Sequence, residues 1–521
     1  MSIVILLISL GAFSRSGNPN RPEVWSARKG EGSDQSTKAS LALTLSEGKS
    51  DIDSAEAFEK QASEYLHNRD YDRAIQEFNQ ALKLNPRLAG AFYGRGTAYW
   101  NKGQYDRAIE DYDQALRLNP RYANAFYGRG LTYAKRNDYD HAIQDYSQAL
   151  KLNPSLAQGF YDRGNSYAEK GDFDQAFADY DQAIRLIPTS HLAFYNRGWA
   201  YAHKGDYQRA IQDYDQALLL NTNFADGFYG RSLAYAHEGE YDRAIKDYDQ
   251  ALRINSSDAA AFVGRGLAYA HKGNFDIAMR DYEQALRLNP NSADAFYARG
   301  LAYGHKGDNY LAIQNYDQAL RLDPTFSYAF YSRGMTYAHK GEYERAIQDY
   351  DQALRINPNY TDALVVRGSA YLMKREYDRA MQDFDMALRL NTNSADALYD
   401  RGLTYAGKGD YGRAISEYDK ALRLKPSDAD AFNNRGLAYA RKGDYSRAIQ
   451  DYGEAIRLSP RLVAAYNNRS LAYARKGDYL RAVTDCGHFL WLRIGATGVL
   501  LFLLTLVAVV GGLIRRFRKA V

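Results

Sequence analysis

The feature that most limits what this chain can fold into is a period of 34 residues, kept without insertion or deletion. Units start at Ala55, Ala89, Ala123, Ala157, His191, Ala225, Ala259, Ala293, Ser327, Thr361, Ala395, Ala429 and Val463, thirteen in all. A period of that size is one supersecondary element repeated, and each copy leaves an apolar face that only its neighbours can cover. In the second unit Phe92, Gly96 and Tyr99 fall four and three residues apart, one stripe of a helix. Gly103 supplies the left-handed residue that ends that helix. Tyr105, Ala108, Ile109, Tyr112, Ala115 and Leu116 form a second stripe, and Pro120 closes it. The expected fold is all-α, a stack of about thirteen helix–turn–helix repeats.

Composition fits packing better than chemistry. The 46 tyrosines recur at the large positions of each unit, where they are expected to fill space with their hydroxyls reaching the surface. The 67 basic residues nearly balance 63 acidic ones, so no nucleic-acid footprint is expected. Cys486 is the only cysteine, which excludes an intrachain disulfide and a cysteine metal cluster. The sequence carries no phosphate loop, nucleophile elbow or metal-binding helix motif. Neither an enzyme nor a cofactor is expected.

The residues Phe92, Gly96, Tyr99, Ala108, Tyr112, Ala115 and Pro120 stand where the tetratricopeptide repeat wants a large residue, Gly, Tyr, Ala, an aromatic, Ala and Pro. The chain resembles that family over residues 55–492, with the last unit degenerate at Cys486, Gly487 and Phe489. Departures are local. Ser232 and Ser470 replace the first Gly; Thr222, Ser256 and Thr392 replace the Pro; Arg69, Asn137 and Arg375 replace the turn Gly. The resemblance implies a right-handed superhelical solenoid with a concave groove, lined by the first helices, for a protein or peptide ligand. It also implies that two known groove chemistries are absent. The Lys and Asn of the carboxylate-clamp co-chaperones are mostly Tyr and Leu here. The asparagine ladder of O-linked N-acetylglucosamine transferase is represented by residues such as Gly94, Gly128, Asp162 and Asn196.

One position departs throughout. Where the family usually has leucine, twelve units have arginine, as at Arg95, Arg265 and Arg299. An acid stands sixteen residues on, as at Asp111, Asp247 and Asp281, with Asn315 the exception. A charge near a helix interface needs a partner. The expected arrangement is an Arg–Asp ladder between helices; an anion-binding stripe is the alternative. The first unit has Gln61 in place of the arginine yet keeps Glu77, so the exceptions favour pairing each arginine with the preceding unit's acid. That register joins Glu77 to Arg95, Asp247 to Arg265 and Asp281 to Arg299.

A second series is histidine, at His203, His237, His271, His305 and His339. One per unit cannot converge on a metal, because zinc–nitrogen bonds are ~2 Å and helix axes lie ~8–10 Å apart. A partly cationic imidazole near a helix C-terminus suits the dipole; a pH-sensitive groove wall is the other reading. By the resemblance, the ligand-facing stripe is Tyr229, Leu233 and His237, then Leu267 and His271, then Tyr297, Leu301 and His305, then Tyr331, Met335 and His339. Such a Tyr/Leu/His surface suits an extended or helical peptide. The same stripe is also placed to pack against the next unit.

The ends set the expected setting. Residues 1–14 read as a signal peptide or a short apolar leader, without a basic n-region. Residues 15–54 read as a disordered linker. Ile494–Ile514 is uncharged and long enough for a transmembrane helix, followed by a basic tail at 515–521. The chain is thus expected to be a single-pass membrane protein, a scaffold anchored in the bilayer through Ile494–Ile514. The basic tail favours repeats on the non-cytoplasmic side; a cytosolic tail-anchored orientation is the alternative. A structural spacer or self-associating rod is the competing function.

Overall fold

A computed structural model describes residues 42–490 together with 492 and 493, with side chains described from residue 53. Ala42–His67 pairs with Tyr71–Leu84, and Ala89–Asn101 pairs with Tyr105–Leu118. The alternation of a 13-residue and a 14-residue helix continues to Val463–Arg475, and residues 479–490 form a further helix. No strand occurs among the described residues. The chain divides into two compact units, one ending at Pro290 and the other starting at Asn291. Each is built from the same repeated helix pair.

The packing explains the period. In the first compact unit the Tyr112 ring is 2% exposed and is wedged between two helices. A methyl group on Gly96, in its own repeat, would stand 3.0 Å from that ring. One on Gly128, in the next repeat, would stand 2.9 Å from it. Two glycines therefore let one tyrosine serve two repeats. In the second compact unit Tyr350, Phe384 and Tyr418 are buried against the glycine of their own repeat, Gly334, Gly368 and Gly402, while the next repeat carries Val366, Asp400 and Asn434 in place of the second glycine. Burying a ring such as Phe384 contributes about 1.5–3 kcal/mol.

Two expectations change here. The tyrosine hydroxyls do not all reach the surface. Those of Tyr146, Tyr214, Tyr282 and Tyr350 are buried without a hydrogen-bond partner among the described residues. Tyr112 and Tyr180 instead donate to Thr97 Oγ1 at 3.3 Å and Asn165 Oδ1 at 2.8 Å. The ring is long enough to carry its oxygen into the helix interface, so partners depend on what that interface offers. The second change is the linker. Its last residues are helical, because the first helix begins at Ala42. Ala42, Leu43, Leu45, Glu47 and Lys49 are good helix formers, and they outweigh Gly48 and the serines.

The turns keep their geometry where glycine is missing. Gly103 has φ +72°, and Arg69, Asn137 and Arg375 adopt +61°, +60° and +63°. Among the described residues no helix is long and apolar enough to cross a membrane. The expected span at 494–514, the tail at 515–521, the leader at 1–14 and linker residues 15–41 lie outside the described residues.

Candidate functional site

The arginines form forks. Arg95 donates from Nε to Asp111 Oδ2 at 2.8 Å and from its η2 nitrogen to Asp111 Oδ1 at 2.6 Å. Its η1 nitrogen reaches back to Asn79 Oδ1 in the preceding repeat, at 2.6 Å. Arg265 likewise holds Asp281 at 2.9 and 2.6 Å and reaches Asp249 at 2.6 Å. The register favoured by the Gln61 exception is therefore not formed. Arg95 pairs with Asp111 rather than Glu77. Asp247 pairs with Arg231, and Asp281 with Arg265. Arg299 donates to Asn315 Oδ1 at 2.7 Å.

The missed partner is the second aspartate of "DYDQAL". Two residues along a helix turn it by about 200°. One Asp thus faces the arginine of its own hairpin, and the other faces the arginine of the next repeat. Asp181, Asp215, Asp317, Asp351, Asp385 and Asp419 all serve the following repeat in this way. Burial pushes the Asp111 carboxyl up, and the bonds from Arg95 offset part of that. Burial also works against the charge on Arg129, but Asp145 and Asp113 outweigh it. The guanidinium carbon of Arg95 lies 5.4 Å from the Phe92 ring centre, adding a cation–π contact. All three guanidinium nitrogens of Arg95 donate to these partners, which leaves less for an anion from solution.

A second, outer ladder joins the turns. Lys170 pairs with Asp140 at 2.5 Å, Lys204 with Asp174 at 2.7 Å and Lys408 with Asp378 at 2.7 Å, thirty residues apart in each case. These acids are 73%, 85% and 88% exposed at the side chain.

The histidines belong to packing between repeats. His237 stacks on Tyr207 with ring centres 4.4 Å apart, and His271 on Tyr241 at 4.6 Å. Burial pushes His203 and His237 down from the ordinary histidine value. Their neutral form is favoured, so the expected cationic interaction with the helix dipole is replaced by ring stacking. His305 and His339 are exposed.

The expected ligand stripe is largely covered. Leu233, Leu267 and Leu301 are 2%, 8% and 9% exposed, and Tyr297 is fully buried with its hydroxyl 3.1 Å from Ser332 Oγ. Tyr229 and Met335 are half-buried against Tyr248 and Tyr350 respectively. Tyr331 lies half-buried between Tyr350 and Tyr360.

Beside this stripe the first helices carry polar residues, Asp162 and Asn196 among them, that join neighbouring repeats. Tyr127 donates to Asp162 Oδ2 at 2.6 Å, and Gln158 Nε2 lies 3.3 Å from the same oxygen. Burial pushes the Asp162 carboxyl up to about 6. Asn196 Nδ2 donates to the Tyr161 hydroxyl and to Asn165 Oδ1, both at 2.8 Å. In the second compact unit Ser369 donates to Asp400, whose carboxyl burial pushes up to about 6. Asn434 donates to the Tyr399 hydroxyl at 2.7 Å, and Asn468 to Asn433 Oδ1 at 3.0 Å. Beside these amides, Leu437 and Leu471 are 37% and 59% exposed. Among the described residues no group of His, Cys, Asp or Glu is placed to hold a metal ion.

Three family models, each described as a tetratricopeptide or TPR repeat, match the chain. They cover residues 93–157, 161–227, 399–462 and 435–486, then 293–326 and 327–360, then 63–103, 233–273 and 266–307. The chain belongs to the tetratricopeptide repeat family. No curated protein matches it significantly in sequence. Among solved structures it is similar to the APC/C hetero-tetramer Cut9–Hcn1, at 18% identity and a TM-score of 0.47, over 88% of this chain and 98% of that one. It is also similar to a tetratricopeptide repeat protein from Parabacteroides merdae, at 20% identity and a TM-score of 0.41, over 48% of this chain and 98% of that one. A third is YrrB, described as a TPR protein with an unusual peptide-binding site, at 24% identity and a TM-score of 0.32, over 37% and 99%.

Proposed function

We propose that this chain is a membrane-anchored scaffold that binds protein or peptide partners along its first helices and catalyses no reaction. One observation carries the binding reading. Leu437 and Leu471, one repeat apart, stay 37% and 59% exposed beside the amides of Asn434 and Asn468. Apolar anchors next to amide groups suit an extended peptide, whose side chains fill gaps while its backbone takes hydrogen bonds. Repeated shallow sites of this kind gain affinity together rather than singly.

The test is selection from a displayed random-peptide library on the full chain in detergent. Enriched peptides should lose about tenfold or more in affinity on Leu437→Glu with Leu471→Glu, a loss of about 1.4 kcal/mol. Both leucines are exposed, so the variant should fold. No enrichment, together with self-association in sedimentation, would favour a spacer or rod instead.

The anchoring part rests on the uncharged run Ile494–Ile514 and the basic residues Arg515, Arg516, Arg518 and Lys519 after it. Those basic residues favour a cytoplasmic tail and repeats on the other face. Extraction of the chain from membranes by alkaline carbonate would remove the anchor from this proposal. Protection of the repeats from external protease in intact cells would reverse the orientation.

A further inference from the structure

The outer ladder is broken at Gly412, and the gap there has a shape. The cation that ends each first helix reaches an acid or polar group in the preceding repeat at nearly every step described. Lys170 takes Asp140, Lys204 takes Asp174, Lys408 takes Asp378, and Lys476 takes the Ser446 hydroxyl at 3.0 Å. Where the preceding repeat offers no acid, as at Tyr310, Lys340 turns to Glu342 at 2.6 Å. Lys442 makes neither contact: Asp444, two residues on, pairs with Arg447 at 3.3 Å instead. The residue thirty before it is Gly412, and Lys442 is exposed with no side-chain hydrogen bond or ion pair among the described residues.

The missing side chain leaves space. A methyl group on Gly412 would lie 3.9 Å from Lys442 Nζ and 3.6 Å from Asp410 Oδ1, with nothing closer. The gap opens into a cleft of about 720 Å³ whose lining includes Asp378, Lys408, Asp410, Gly412, Arg413 and Lys442. Two of its three cations are already matched, Lys408 by Asp378 at 2.7 Å and Arg413 by Asp410 at 2.5 Å. One positive charge is left over. The floor adds the apolar surface of Met381 and Tyr405.

We propose that this cleft is a docking site for a carboxylate side chain from an acidic segment of a partner protein. The incoming Asp or Glu takes the place of the ladder acid that Gly412 lacks and pairs with Lys442. A single carboxylate matches the single unbalanced cation. A phosphate dianion would bring a second negative charge close to Asp378 and Asp410. The site lies among the turns and uses none of the first-helix residues Leu437, Leu471, Asn434 or Asn468, so it stands or falls separately from the peptide face.

The test measures binding of fluorescein-labelled hexaglutamate to the full chain in detergent at low salt, by anisotropy. Gly412→Asp rebuilds the ladder pair from within, and other repeats carry Asp at that position, so it should fold and melt no lower than the parent. Both Gly412→Asp and Lys442→Gln should weaken hexaglutamate binding by about three- to tenfold. Asn274→Asp, which adds the same charge elsewhere, should leave it unchanged. Undiminished binding by Gly412→Asp overturns the proposal, as does equal weakening by Asn274→Asp. A hexaphosphoserine peptide that binds more tightly than hexaglutamate, and is the one displaced by Gly412→Asp, overturns the carboxylate assignment.

Discussion

Two charge ladders run through the same helices with the same period, and they have little else in common. In the inner ladder the side chains of Arg265 and Asp281 are 21% and 6% exposed, and the pair is bidentate. In the outer ladder the Lys204 and Asp174 side chains are 44% and 85% exposed and share one contact. The difference teaches that periodic charge is not one kind of evidence. A buried fork fixes which helix faces which, because leaving one partner alone strands a charge out of water. An exposed pair loses little when broken, because water and salt replace it.

Removing the fork at its centre should show the largest effect. Arg265→Ala leaves Asp281, 5% exposed, without its two bonds and also releases Asp249. The expected cost is about 3–5 kcal/mol, read as a fall in the urea midpoint of the repeats around it. An unchanged midpoint would erase the distinction between the ladders. Replacing both partners, Arg265→Leu with Asp281→Leu, should recover most of that loss, since an apolar pair of similar volume leaves no charge behind.

Asp162 sharpens the comparison, being a half-buried carboxylate without an arginine. Its folded value near 6 lies above that of an unfolded aspartate, about 3.9. Ionisation therefore costs stability fully above about pH 6. The cost disappears as pH falls from about 6 to 4, where the folded chain takes up the proton first. Asp162→Asn should stabilise the chain by about 1–2 kcal/mol at pH 7.5 and by almost nothing at pH 4. Equal effects at both pH values would mean that burial does not shift the Asp162 carboxyl. The smallest effect belongs to the outer ladder. Lys204→Ala should cost less than about 1 kcal/mol, and less still at high salt.

Much of the fold was legible because it repeats. The unit starts at Ala89, Ala123 and Ala225 coincide with helix starts, and the helix ending at Asn101 stops just before the turn at Gly103. The existence of an acid opposite every arginine but Arg299 was also readable, since both recur at a fixed offset. Its register was not. Two aspartates flank each tyrosine of "DYDQAL", and only the turn of the helix between them decides which arginine each one meets. The histidines misled for a similar reason. Their place at a helix end is visible in sequence, whereas the tyrosine of the preceding repeat on which His237 lies is a contact between units. The expected ligand stripe ran into the same limit. Tyr297 and Leu233 share a helical face with exposed residues, and burial by a neighbouring repeat is not written in their own helix.

The tyrosine that serves two repeats carries a consequence for heredity. The glycine–tyrosine, arginine–aspartate and histidine–tyrosine contacts between these neighbours each join equivalent positions of the unit. Loss of residues 225–258 as a block would bring Gly264 against Tyr214 where it now meets Tyr248, and Arg265 to Asp215 where it now meets Asp249. His271 would find Tyr207 in place of Tyr241. Recombination between misaligned copies can thus change the length of the chain in whole units without opening a seam.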